Sequence, residues 1–270
     1  MLSNLLNFTG TELAPAKWIF IIGCYNSGTT LLDQILAQHR QVSGLNDEGV
    51  MLTNNLPRPE DFGWRRMWVK CENKMDIAGD KSRVSAEIKR HWSHFYDGKK
   101  EVLLEKSISN TPRAVFFNDY FKPAYFIHIV RNGYAVMEGI KRKARVMPGN
   151  TFFQAGQYPI ELCAEQWVRS LQVVDEQKDR LEHFLEISYE QLTASPDQTI
   201  QTVCDFLEIS SSETYLNDAS FTVHQNNDLI RNMNESSFKR LTETEINSIN
   251  EVARHYLEKY KYYMSPTSRS

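Results

Sequence analysis

The sequence predicts an α/β protein: a P-loop-like parallel β-sheet flanked by helices, with irregular lid insertions over one end. Three observations carry this prediction. Continuous apolar runs of strand length recur along the 270 residues, stretches of helical periodicity separate them, and the first run ends in a glycine-bounded loop. With 41% apolar residues the chain can fill a complete core, so residues 1–270 are expected to form a single domain.

Trp18 to Gly23 is wholly apolar up to its closing glycine, the pattern of a strand covered on both faces. EVLLEK at 101–106 and AYFIHIV at 124–130 repeat it, whereas FLEISYE at 184–190 alternates and belongs nearer an edge. Helical stretches are expected at 29–39, about 111–119, 133–144, 160–181 and 197–208. Right-handed crossovers between such strands build a helix-covered parallel sheet. Ser195, Pro196 and Asp197 suit a helix start, as cap, first-turn proline and first-turn acid. Residues 44–83 break the rhythm with Pro57, Pro59, glycines and the aromatics Phe62, Trp64 and Trp68, and residues 147–159 have a similar mix. Ligands in open α/β sheets bind beyond the carboxyl ends of the strands, so 44–100 and 145–160 are the candidate acceptor-binding or lid segments. The same aromatics could instead pack the insertion. The tail SPTSRS is expected to fray.

Composition excludes several classes. The net charge is −3 and no lysine-arginine stripe tracks a nucleic-acid backbone, so no nucleic-acid partner is expected. Cys24, Cys71, Cys163 and Cys204 are scattered without metal-ligand spacing, as reduced thiols in a cytoplasmic protein would be. No run approaches the roughly 18 apolar residues of a membrane span, and the first residues lack an export-signal pattern. A soluble, unexported protein is the expectation.

Gly23 and Gly28 bracket four residues ahead of Thr29 and Thr30, a GxxxxG loop between strand and helix. Backbone N–H groups, the helix N-terminus and the hydroxyls of Ser27, Thr29 and Thr30 can hold phosphate there. Yet a nucleotide kinase would place lysine at position 29. The loop has no cation of its own.

SGTTLL after an apolar strand, EKSISN closing a second, FIHIVRNGYAVMEG closing a third, and SYEQLTASPDQTIQTVCDFLEI further on occur in the order and spacing of a known family. Over roughly residues 17–260 the chain resembles sulfotransferases that use 3′-phosphoadenosine 5′-phosphosulfate (PAPS), including tyrosine-directed, carbohydrate-directed and bacterial members. The resemblance implies that the loop from Tyr25 through Asn26, Ser27, Gly28 and Thr29 to Thr30 holds the 5′-phosphosulfate. Arg131 would hold the 3′-phosphate, a role its planar fork suits. Tyr189 corresponds to a tyrosine near the adenine in parts of the family, and would otherwise simply close the edge strand.

Two positions depart from the family pattern. Asn26 stands where the family usually has lysine or arginine against the bridging oxygen, and Gly139 where it usually has a serine for the 3′-phosphate. Lys106 matches a family lysine that approaches the phosphosulfate from the neighbouring strand end, and would compensate for Asn26. Family members with a base two residues after that lysine use histidine, but Ile108 is there. Tyrosine-directed and many bacterial members instead carry a glutamate about twenty residues beyond the loop. Glu48 in GLNDEG is therefore the candidate base for an alcohol acceptor, with Asp47 second. His39 and His128 read as structural residues inside a helix and a strand; His94 and His224 stay open. The reading is metal-independent sulfuryl transfer from PAPS, leaving the 3′,5′-bisphosphate PAP, to a hydroxyl or an amine of a small or medium acceptor. Its rivals are a non-catalytic PAPS-fold protein, favoured by Asn26 and Gly139, and a metal-dependent nucleotide phosphotransferase, disfavoured by Thr29.

Overall fold

In a computed structural model the described residues are 9–211, 221–223, 226–228 and 230–264. Five parallel strands form the central sheet in the order β2-β3-β1-β4-β5, with β1 Lys17–Gly23, β2 Val42–Gly44, β3 Val102–Glu105, β4 Ala124–Val130 and β5 His183–Ser188. β1 lies at the centre, pairing Lys17–Phe20 with β3 and Trp18–Gly23 with β4. Its side chains alternate between two cores. Trp18, Phe20 and Ile22 face one, and Ile19 and Ile21 the other, so both faces are apolar, as expected for a buried parallel strand.

On the Ile19 face lie α1 Thr29–Ala37, which buries Leu32, Ile35 and Leu36, and a later helix Pro196–Leu207. Onto the Trp18 face pack the helices Gly133–Lys143 and Ile160–Gln177 together with the C-terminal helix Glu243–Lys259. In chain order these helices are α1, α2 Lys81–Trp92, α3 Ala114–Tyr120, α4 Gly133–Lys143, α5 Ile160–Gln177, α6 Tyr189–Ala194, α7 Pro196–Leu207, α8 Asn234–Phe238 and α9 Glu243–Lys259. A two-stranded antiparallel pair, β6 Phe221–Val223 and β7 Asn226–Asp228, lies apart from the sheet.

The fold-class expectation holds, and several details differ. The edge strand stops at Ser188 rather than 190, because Ser188 caps α6 in a reciprocal box with Gln191. β2 was not anticipated: three residues carry no periodicity. Ser195 occupies the N-cap of α7 but makes no side-chain cap bond there, so its chemistry is not used as expected, while Pro196 does open the helix. α2 was also unexpected. Asp80 starts it, accepting from the N–H groups of Ser82 and Arg83, in a stretch whose polar exterior hides its buried Ile88, His91 and Trp92. The insertion is otherwise a series of 3₁₀ turns, Gly49–Met51, Pro59–Phe62 and Trp68–Lys74.

The insertion's aromatics divide between packing and bracing. Trp68 is fully buried in the larger core. Trp64 packs at a tilt against Phe152 and Tyr158, joining the two irregular segments to each other, with ring centroids 6.5 and 5.9 Å apart. All four cysteines are buried thiols. No helix among the described residues is long and apolar enough to cross a membrane. His224 and the tail 265–270 lie outside the described residues.

Candidate active site

The loop after β1 is shaped by left-handed backbone. Gly23 has φ +152° and Gly28 φ +97°; a Cβ at the first would meet the Ile129 carbonyl oxygen at 2.7 Å and at the second the Tyr189 ring at 2.5 Å. Both glycines are therefore required by close approach to β4 and α6. Asn26 takes φ 63°, which asparagine tolerates better than most residues. α1 begins at Thr29 with no side-chain cap, leaving its N-terminus to face the cleft.

That cleft, about 1320 Å³, lies at the carboxyl ends of the strands, and its walls include Tyr25, Asn26, Gly28, Thr29, Thr30, Asp47, Glu48, Lys106, Arg131, Gly139 and Tyr189. The fold thus brings together residues from six places in the sequence. Ser27 is the exception: it is 1% exposed and does not line the cleft, its N–H donating to the Cys24 carbonyl at 3.3 Å.

Arg131 closes β4 and is held by neutral acceptors, donating to the Asn26 carbonyl and the Asn234 side chain, both at 2.8 Å. Its guanidinium lies 4.1 Å from the centre of the Tyr189 ring, so that tyrosine is a platform for the arginine at the start of α6. The Tyr189 hydroxyl is fixed between the Met233 N–H and the Arg231 carbonyl, each at 3.1 Å. Glu190 orients the neighbouring groups, accepting from the Asn234 amide at 2.7 Å and the Asn132 N–H at 3.0 Å. Burial pushes the Arg131 guanidinium below its ordinary value, as Tyr189 and Glu190 oppose.

Lys106 and Glu48 meet at 2.7 Å, Nζ donating to Oε1. Burial alone would depress the lysine, but Glu48's charge and hydrogen bond outweigh it and leave Lys106 above its usual value. Asp47 is exposed and its carboxylate is occupied with the N–H of Glu48 at 2.7 Å. Beneath them Glu105 is 1% exposed and accepts from the Gly49 N–H at 3.1 Å, the Asn110 amide at 3.0 Å and the Ser107 hydroxyl. Burial lifts Glu105 to about 7 and Asp33, on α1, to about 6.

His39, His94 and His128 lie away from this chemistry. His39 is past the end of α1 rather than inside it, buried, with Nε2 against the Ser210 carbonyl at 2.8 Å. His128 pairs with Glu186 at 2.9 Å within the β4–β5 layer, and His94 contacts Thr9. None lines the cleft.

What the sequence reading did not find is the rest of the positive charge. The cleft walls also include Arg58, Arg65, Arg66, Arg142, Lys143, Arg145, Arg231 and Arg240. Arg66 donates to the Asn26 side-chain oxygen at 3.4 Å. A legible signal existed in part: KRKAR at 141–145 ends the helix that begins next to Arg131. Arg65 and Arg66, between Trp64 and Trp68, gave none, because an irregular segment has no period to say where it points.

A glycine-bounded loop, a strand-end arginine on neutral acceptors and a cation-lined cleft at the switch point of a parallel sheet define a protein built to hold a multiply charged anion. The chain belongs to the sulfotransferase family, whose profile matches residues 18–213. It is 25% identical over 209 residues to protein-tyrosine sulfotransferase A of Caenorhabditis elegans, covering 72% of this chain and 50% of that one. With protein-tyrosine sulfotransferase 2 of Gallus gallus it shares 24% over 223 residues, 79% and 56% of the two chains. The chain thus spans about half the length of the curated relatives it matches. In fold it is similar to the sulfotransferase domain of the Synechococcus PCC 7002 olefin synthase (TM-score 0.58, 19% identity, 95% of this chain and 100% of that one). A mouse sulfotransferase solved with PAP shares the fold at TM-score 0.54 and 13% identity, over 96% of this chain and 89% of that one.

Proposed function

We propose that the protein transfers a sulfuryl group from PAPS to a hydroxyl, or an amine, of a small or medium acceptor, without a metal. The observation that carries this reading is Arg131, buried, bonded only to neutral acceptors and lining the same cleft as the glycine-bounded loop. A buried arginine without a carboxylate partner is costly unless an anion completes it. The residues fit PAPS: Arg131 for the 3′-phosphate, and the loop from Tyr25 to Thr30, with the α1 N-terminus and Lys106, for the 5′-phosphosulfate.

PAPS, when bound, supplies the sulfuryl group and leaves as PAP. Lys106 neutralises charge at the phosphosulfate, and in moving toward it releases Glu48 Oε1. Glu48 then accepts the proton of the attacking hydroxyl, an act worth about 10² to 10⁴ in rate. The segments 44–100 and 145–160 wall the acceptor side, where Leu45, Met51 and Met147 supply apolar surface. Because two relatives are named protein-tyrosine sulfotransferases, phenols and tyrosine peptides belong among the acceptors tried.

A non-catalytic PAP-binding protein is the second reading, favoured by Asn26 and Gly139. Transfer of labelled sulfate from PAPS to a panel of sugars, phenols, tyrosine peptides, amines and natural-product alcohols separates the two. Transfer to at least one class is expected; tight PAP binding with no transfer to any would favour the second reading. PAP is also expected to bind better than AMP, with Arg131→Ala weakening PAP far more than AMP in calorimetry. Equal losses would remove the 3′-phosphate assignment.

A further inference from the structure

The loop without a cation is answered only partly by Lys106, because that lysine already has a partner. Its Nζ is bonded to Glu48 at 2.7 Å, so its charge at the cleft is shared with a carboxylate. Another cation reaches the loop itself. Arg66, forty residues further along the chain, donates from NH1 to Asn26 Oδ1 at 3.4 Å. Position 26 is where the loop would otherwise carry its own positive charge.

We propose that Arg66 supplies the cation of the phosphosulfate loop from the insertion, with Asn26 as the positioning residue that receives it. This rests on the sulfotransferase reading above and adds to it a binding residue and the reason for an asparagine in the loop.

Four features of the structure support the assignment. The backbone at Arg66 is held in the left-handed region, φ 56°, between Trp64, braced against Phe152 and Tyr158, and the fully buried Met67 and Trp68. A non-glycine residue persists there only when its surroundings over-determine it, which fixes where the side chain starts. Second, no carboxylate pairs directly with Arg66 among the described residues: Glu48 and Glu60 act on it only at longer range, and burial outweighs them and pushes its guanidinium below the ordinary value. A partly buried guanidinium with no direct ion pair has donors left for an anion in the cleft. Third, the room for Asn26 is provided by Gly139: a Cβ there would approach the Asn26 side chain to 3.0 Å. The two departures from the family pattern are therefore one packing unit, a short residue at 26 against a missing side chain at 139. Last, Asn26 Nδ2 is buried with no partner, a donor left over beside the loop once Oδ1 has taken Arg66.

Calorimetry with PAP and with adenosine 3′-monophosphate, which lacks the 5′-phosphate, tests this without relying on turnover. Arg66→Ala is expected to weaken PAP about ten- to a hundredfold, the loss of one charge-assisted hydrogen bond, and to leave the 3′-monophosphate within about twofold. Arg66→Lys, which keeps the charge and the stem, should lose less, and serves if the alanine variant misfolds. Adding Asn26→Arg to Arg66→Ala should recover at least about fivefold in PAP affinity by returning the charge to the loop, whereas Asn26→Arg alone should gain nothing, since the two guanidiniums then compete. Undiminished PAP binding by Arg66→Ala, equal losses for both nucleotides, or no recovery in the double variant would overturn the proposal. Failure of the unmodified protein to bind PAP at all would instead overturn the sulfotransferase reading beneath it.

Discussion

At the scale of single residues, the site consists of polar groups whose partners define what they can still do. Asp47 is already spent on the N–H of Glu48, while Glu48 holds Lys106 and lines the cleft. The one-residue ambiguity left by the sequence is thus weighted toward Glu48 by hydrogen bonding alone. Glu48→Gln is expected to lower kcat by at least about tenfold with an alcohol acceptor, within the range of general-base catalysis. PAP affinity should hold or rise, because Lys106 loses the carboxylate that competes with phosphate for it. Asp47→Asn should do little, since an amide oxygen can still accept from Glu48. Steady-state rates paired with PAP calorimetry check both; an inactive Asp47→Asn beside an active Glu48→Gln would exchange the roles.

At the scale of elements, the sequence was legible where periodicity and burial agree. β1 and β4 were bounded almost to the residue because strands covered on both faces are continuous apolar runs, and α4 and α7 because apolar stripes repeat at helical spacing. β2 and α6 were too short to show a pattern, and α2, mostly beyond the irregular stretch 44–83, is so polar that its buried Ile88, His91 and Trp92 make no clear stripe. Of the residues that line the cleft, those at strand ends and in the loop, Ser27 apart, were named from the sequence, since the fold class aims strand ends at the ligand; Arg66 was not, because only tertiary packing carries it there. The end of β3 shows how an element holds the site. Glu105 gathers three donors, including the N–H of Gly49 next to Glu48, and burial lifts it to about 7. Glu105→Ala should destabilise the fold by at least about 2 kcal/mol, the cost of buried donors left unpaired. The sign with pH follows from the raised value: between the unfolded carboxylate range and about 7 the folded state holds more protons, so this group's contribution is full at low pH and declines as pH rises through 7. Urea unfolding from pH 5 to 8 should show a decline that is shallower in Glu105→Gln. An unchanged slope in that variant would assign the decline elsewhere, Asp33 and Glu60 also being raised by burial.

At the scale of the whole molecule, a chain of net charge −3 gathers ten of its 31 lysines and arginines in one cleft, where they face four carboxylates. Such focusing raises the local concentration of an anionic ligand and its rate of capture, and it is steep in ionic strength. The cost is repulsion among the cations, and Lys143 registers it. Burial, then the charges of Arg142, Arg66 and Arg131, push this lysine down to about 8, with Glu138 opposing. Free protein therefore loses that charge as pH rises through 8. A bound bisphosphate stabilises the protonated form and raises the value, so between about 8 and the ordinary lysine range binding takes up a proton and affinity falls as pH increases. PAP calorimetry at pH 9 in buffers of different ionisation enthalpy should reveal net proton uptake, and PAP affinity should drop between pH 7.5 and 9.5 by about threefold or more. Lys143→Met, with no proton to take up, should bind PAP more weakly at pH 7.5 but lose most of the pH slope. An equally steep slope in Lys143→Met would show that another group titrates, and no proton uptake in the unmodified protein would show that Lys143 does not sense the bound anion.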